Sequence, residues 1–144
     1  MKIVVAFDGT EGARDALGVA AEIVAATRGE LVVCWVLNPL VDAAGVVALT
    51  TAAAMSEVEA RASATVDEAL SGVDATATVR LETVTRGEDV AERLARIAAE
   101  EGAALLAIAS RRAVGMRGAL MGSVAQETLR LSPCPVLVVR PDHR

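Results

Sequence analysis

Ile3-Val4-Val5-Ala6-Phe7-Asp8-Gly9-Thr10 is the stretch whose reading decides the fold. An unbroken apolar run of β-forming residues that stops at Asp-Gly-Thr reads as a strand covered on both faces and ended by a turn. From Glu11 to about Arg28, apolar residues at Ala13, Ala16, Leu17, Ala20 and Val24 recur at helical spacing. Thr10 stands where it can cap that helix, and Gly29 ends the pattern. A doubly covered strand leading through a turn into a helix is the opening of a parallel α/β unit.

Working outward, the pattern repeats. Leu31 to Leu37 is a second buried run, stopped by Asn38-Pro39. A long helix is expected from roughly Thr51 to Leu70, closed by Ser71-Gly72, while Ala43 to Ser56 lacks charge and has no clean period. The alternation Ala75 to Glu82 predicts a strand exposed on one side, near a sheet edge. Val90, Leu94 and Ile97 define a helix from Gly87 to Glu101, with Gly102 at its C-terminal cap. Ala104 to Ala109 is a fourth buried run. A polar loop carrying Arg and Gly follows from Ser110 to Gly122, and connections of that length in compact domains are more often functional than not. Ser123-Val124-Ala125-Gln126 reads as a capping box opening a short helix to Leu131. Ser132-Pro133-Cys134-Pro135 breaks it and leads into a fifth strand, Val136 to Val139. Strand and helix alternate throughout, predicting a single doubly wound α/β domain over 1–144, its sheet parallel and covered by helices on both faces. Ligands of such sheets sit outside the C-terminal strand ends. The tips to watch are Asp8-Gly9-Thr10, Val36 to Pro39 and Ala109 to Ser123.

The 144 residues are 53% hydrophobic and 23% charged, enough for one self-sufficient core without metal or disulfide. Ala and Val carry the apolar excess over the roughly 45–50% of ordinary domains, so thin, closely packed layers are expected. A net charge of −5 and an aromatic set reduced to Phe7 and Trp35 argue against nucleic acid as a partner. No apolar run reaches the roughly 18 residues that span a bilayer. The chain begins on a strand pattern and not a signal peptide, which gives the cytoplasm as the expected compartment. Cys34 and Cys134 each adjoin an apolar run and read as buried thiols. His143 reads as part of a terminal tail, and Glu57, Glu59, Arg61 and Glu68 as a solvated helix face. No metal-ligand or Walker pattern occurs, so neither a metal site nor catalysis is expected.

Asp8-Gly9-Thr10 after the first strand, Trp35-Val36, Ala109-Ser110-Arg111 through Gly122-Ser123-Val124, and the tail Ser132 to Val139 together resemble the universal stress protein family over essentially the whole chain. The resemblance implies a five-stranded sheet of order 3-2-1-4-5, a homodimer through the last strand (Val136, Leu137, Val138, Val139) and a cytosolic role in surviving stress with no settled chemistry; the role expected here is non-enzymatic, through contacts with protein partners. Pairing two copies antiparallel would cover the open edge of that strand.

Members of that family that hold ATP carry a G-x-x-G-x9-G-[ST] loop after the fourth strand. Laid on this sequence, its positions fall on Ala109, Arg112, Gly122 and Ser123, so the first two glycines are absent. Such glycines let amides approach phosphate oxygens and permit positive φ. Against that loss, Arg111, Arg112 and Arg117 place cations beside Gly122-Ser123 at a helix N-terminus, which attracts anions. The expectation is weakened or lost ATP binding, with an adenine-nucleotide module using the residual Gly-Ser loop as the rival and a slow ATPase as a third reading. Asp8 matches a family position that accepts from adenine or ribose and equally reads as a turn and cap residue. Val36 matches an adenine-contacting position and otherwise reads as core. Ser123 reads as a phosphate donor or a cap, Trp35 as core.

Overall fold

Why each apolar run became a strand is visible in the pairing. The computed structural model, which describes residues 1–39, 52–110 and 121–140, orders the elements as β1 (Lys2–Ala6), α1 (Glu11–Thr27), β2 (Glu30–Leu37), α2 (Ala52–Ser71), β3 (Ala77–Thr83), α3 (Val90–Glu100), β4 (Leu105–Ala109), α4 (Ser123–Leu131) and β5 (Val136–Val139). The strands form one sheet in the order β3-β2-β1-β4-β5, every pairing parallel. Winding reverses between β1 and β4, which defines the switch point.

Because side chains alternate along a strand, each run splits between two cores. Ile3, Val5, Leu31, Val33 and Ala107 pack under α1 and α2. Val4, Val32, Cys34, Leu106 and Ile108 pack under α3 and α4. Ala13, Ala16 and Ala20 of α1 are at most 2% exposed, so small side chains bring that helix close to the sheet, as the composition implied.

The edge strand β3 differs. On the face shared with α3 it carries Arg80 and Glu82, and these enter an ion-pair network instead of an apolar core. Arg80 bonds Glu82, Glu100 and Glu101, while Arg93 bonds Glu82 and Glu88. Lys2 joins through Glu101 at 3.0 Å. The hydrogen bond that Arg80 donates to Glu100 leads in holding its guanidinium protonated well above its ordinary range. Charges on an edge strand discourage further strand pairing.

Gly29 does end the α1 pattern, standing just past Arg28, which takes the left-handed conformation (φ 51°). Gly29 is demanded by space, since a Cβ there would stand 2.2 Å from the Met1 carbonyl oxygen. Two local expectations are corrected. The helix expected from Gly87 starts later: Gly87 is a turn residue at φ +85°, and Asp89 caps α3 in a capping box with Glu92. The capping box expected of Ser123 and Gln126 does not form. Gly122 is the N-cap, which makes Gln126 the fourth helical residue, one too far for a box, and its amide donates to the Met121 carbonyl instead at 3.1 Å. Of the uncharged Ala43 to Ser56 stretch, residues from Ala52 onward open α2, and 43–51 lie outside the described residues. His143 also falls outside them.

Cys34 is fully buried and Cys134 half-buried, and both are free thiols. Burial pushes the Cys34 thiol up to about 12, so it stays protonated and inert. Among the described residues no helix is long and apolar enough to cross a membrane.

Candidate functional site

The C-terminal ends of β1, β2 and β4 splay apart at the switch point and leave a cleft of about 780 Å³. Of the residues expected at the site, Asp8, Thr10, Val36, Ala109, Ser110, Gly122, Ser123 and Val124 line it. Gly9 does not, and lies in the turn above Trp35. Arg111 and Arg112, like Arg117, lie outside the described residues.

The β1 tip is built from its own short polar side chains. Asp8 Oδ1 accepts from the Thr10 amide at 3.1 Å and from the Thr10 hydroxyl at 2.6 Å. That hydroxyl in turn accepts from the Ala13 amide at 3.2 Å, capping α1. Both readings of Asp8 thus meet in one residue: Oδ1 is committed to the turn, and Oδ2 remains for a ligand's donor. Gly9 takes φ +78°, a conformation that suits glycine.

At the β4 tip, Ala109 has no unusual backbone, because Arg28 is the one non-glycine residue at positive φ among those described. No dihedral freedom of glycine is required at this position, and the substitution acts through its Cβ alone. Ser110 donates its amide to the Val139 carbonyl at 2.8 Å. The residue is 6% exposed, and its hydroxyl has no hydrogen-bond partner among the described residues. Ser123, freed from the capping box, is the first helical residue of α4 and keeps its hydroxyl available beside the N-terminal amides.

The sequence reading missed much of the wall. Val90 and Leu94 of α3 close the cleft beside Val36 and Ile108, and Glu11 and Gly12 open α1 onto it. Trp35, read as core, packs against the α1–α2 core and also faces the cleft. The apolar periodicity of α3 carried no sign that its first turn reaches past the strand tips.

The N-termini of α1 and α4 both border this space; at α1 the Ala13 amide is taken by Thr10, whereas at α4, where no side chain caps the helix, the N-terminal amides and dipole favour an anion. The apolar side formed by Val36, Val90, Leu94 and Ile108 suits a flat ring. Asp8 and Glu11 are the charged groups of the described lining. No cluster of three His, Cys, Asp or Glu able to hold a metal occurs among the described residues. An apolar pocket with a buried orphan hydroxyl and an anion-favouring end matches the parts of a nucleotide, base at one side and phosphate at the other.

Comparison with known proteins places this architecture among relatives. A sequence model of the universal stress protein family matches residues 1–140. The universal stress protein YxiE of Bacillus subtilis is 36% identical over 62 residues, a match that spans 43% of this chain and 42% of that protein. A universal stress family protein from Burkholderia pseudomallei has the same fold at 33% identity and a TM-score of 0.69, covering 98% of this chain and 96% of that one. A universal stress protein from Archaeoglobus fulgidus, solved in complex with dAMP, superimposes with a TM-score of 0.69 at 24% identity, over 96% of this chain and 97% of that one.

Proposed function

The chain belongs to the universal stress protein family, and from that premise we propose that it is a cytoplasmic stress-response regulator, a non-enzymatic homodimer whose cleft takes an adenine nucleotide. The observation that carries the nucleotide reading is the Ser110 hydroxyl, buried at the cleft with no partner among the described residues. Leaving such a group unsatisfied costs about 1–3 kcal/mol, and native structures rarely keep one without a reason. A phosphate or ribose oxygen in the cleft would remove that cost. The uncapped Ser123 at the α4 N-terminus and the dAMP complex of the Archaeoglobus fulgidus relative support the same reading.

Affinity for a triphosphate is expected below that of relatives with the complete loop, because Ala109 adds a Cβ at the cleft and Arg112 stands where that loop has its second glycine. The non-enzymatic part of the reading rests on the family resemblance; of the two charged residues of the described lining, Asp8 and Glu11, Asp8 spends one carboxylate oxygen on its own turn.

Dimerisation is read from β5. All four of its residues are only half-buried, and the strand pairs with β4 on one side alone among the described residues, leaving backbone groups for a second copy.

Calorimetric titration of dAMP, AMP and ATP, with and without Mg²⁺, into the parent and into the Ala109→Gly, Arg112→Gly double variant tests this. The expected result is saturable monophosphate binding by the parent and a gain in ATP affinity in the double variant. No saturable heat with any of the three would overturn the nucleotide reading. A light-scattering mass of one chain at micromolar concentration would overturn the dimer.

A further inference from the structure

Trp35, the single indole of the chain, touches both the cleft and the turn above it. One part of it forms cleft wall. Its six-membered ring lies against Gly9, where an added Cβ would stand 2.9 Å from Cη2 of the indole and 3.3 Å from Cγ2 of Thr65 in α2. Phe7 packs edge-on from another side, with ring centroids 5.7 Å apart at 72°. Gly9 carries no side chain, so the Asp8–Gly9–Thr10 turn rests directly on the ring. That turn holds two residues of the cleft, locked together through the Asp8–Thr10 bonds.

The far end of this packed chain is lightly held. The buried side chains of α2 are Ala62, Val66 and Ala69, whereas every residue from Ala52 to Arg61 is exposed or half-buried. A helix joining the parallel strands β2 and β3 runs antiparallel to them. The residues before Thr65 therefore project past the β1 tip, by ~20 Å at 1.5 Å per residue. A segment with so few buried contacts opens at low free energy, and packing at its root governs its order.

We propose that Trp35 is a positioning residue of the cleft: its indole carries the Asp8–Gly9–Thr10 turn toward the ligand, and that turn meets α2 at Thr65 through Gly9, so that cleft occupancy and the order of α2 are coupled. This rests on the adenine-nucleotide reading above. The coupling is reciprocal, so whatever holds α2 also raises affinity for the nucleotide.

Hydrogen exchange with and without saturating dAMP, together with Trp35 emission and calorimetric affinity, tests it on the full chain in the parent, Trp35→Leu and Thr65→Ser. The serine variant removes one methyl and keeps the hydroxyl that donates to the Arg61 carbonyl at 2.9 Å, so its fold is secure. In the parent, dAMP is expected to shift Trp35 emission and slow α2 amide exchange. In Trp35→Leu, dAMP affinity should fall about tenfold and the α2 response should vanish. In Thr65→Ser the emission shift should persist while the α2 response shrinks. A purely structural role for Trp35 would lower the melting temperature without separating these readouts. Unchanged α2 exchange at saturating dAMP in the parent overturns the coupling and leaves the nucleotide reading standing. Absence of both dAMP heat and emission shift overturns both. If Trp35→Leu does not fold, an undiminished α2 response in Thr65→Ser is the result that sinks the proposal.

Discussion

Arg93 donates from Nε and Nη2 to the same carboxylate oxygen of Glu88, at 3.0 and 2.5 Å, with both side chains only 12% exposed. Through Glu82, which accepts from Arg93 Nη1 at 3.1 Å, this pair ties the connection before α3 to the edge strand, and so fixes the wall that Val90 and Leu94 present to the cleft. The Arg93 hydrogen bond, followed by those from Thr85, holds the Glu88 carboxyl near 2, below its ordinary 4.5. A folded-state value below the unfolded one means stability that is complete above about 4.5 and is lost as pH falls toward 2. Glu88→Gln should therefore lower stability at pH 7 by about 1 kcal/mol, roughly 3 °C in melting temperature. Near pH 2 the gap from the parent should close. Parallel melts of the two proteins at pH 7, 4 and 2 check this, and a gap independent of pH would assign the loss to packing.

Glycine separates by position. At Gly29 an added Cβ meets the Met1 carbonyl oxygen at 2.2 Å, a backbone atom that also accepts from the Glu30 amide at 2.9 Å. Gly29→Ala must push β1 away from the start of β2 and should cost more than about 2 kcal/mol. Gly18, inside α1 with nothing within 4 Å of its added Cβ, should respond oppositely. Gly18→Ala is expected to stabilise by about 0.5–1 kcal/mol through helix propensity. Denaturant midpoints of the two variants against the parent decide both.

Much of this was legible because buried parallel strands write themselves as unbroken apolar runs, and β1, β2, β4 and β5 all did so. The strand tips followed from them, and with them Asp8, Val36, Ser110 and Ser123. What escaped depended on one-residue offsets or on partners distant in the chain. Asp89 and Glu92 spell a capping box as plainly as Ser123 and Gln126 do, yet only the former closes, because Gly122 takes the cap position of α4 with its own backbone. Arg80 and Glu101 lie on separate elements and meet only once β3 lies beside α3, so no local pattern announces their bond. Trp35 looked like core because hydrophobicity cannot distinguish a side chain enclosed by protein from one that also walls a cleft.

Thr128 of α4 is fully buried and its hydroxyl has no partner among the described residues, and unlike Ser110 it does not line the cleft. With no ligand to satisfy it, the group is a plain cost. Thr128→Val keeps the branched shape and removes the orphan oxygen, so it should stabilise by about 1 kcal/mol. Nucleotide affinity should not change. A destabilised valine variant in urea titration would show that the hydroxyl is bonded in solution, a buried water being the obvious partner.

Ser110 should behave differently from Thr128 although both carry a buried hydroxyl with no partner among the described residues, because only Ser110 lines a space that a ligand can fill. In the ligand-free protein, Ser110→Ala removes a desolvated polar atom and should raise stability by about 1 kcal/mol. In the nucleotide complex the same change deletes a hydrogen bond to the ligand, and affinity for dAMP should fall roughly tenfold, the size expected for a lost bond to a charged group. Stability and binding thus move in opposite directions, the pattern of a site whose apo form is kept suboptimal for the sake of its ligand. Ser123→Ala should lower affinity without the stabilisation, since its hydroxyl stands uncapped at a helix start and is half-exposed or more. Urea midpoints and dAMP titrations on the two alanine variants give four numbers. A Ser110→Ala protein that is more stable and binds dAMP as tightly as the parent would reduce that serine to a defect of packing and move the ligand's anchor to α4.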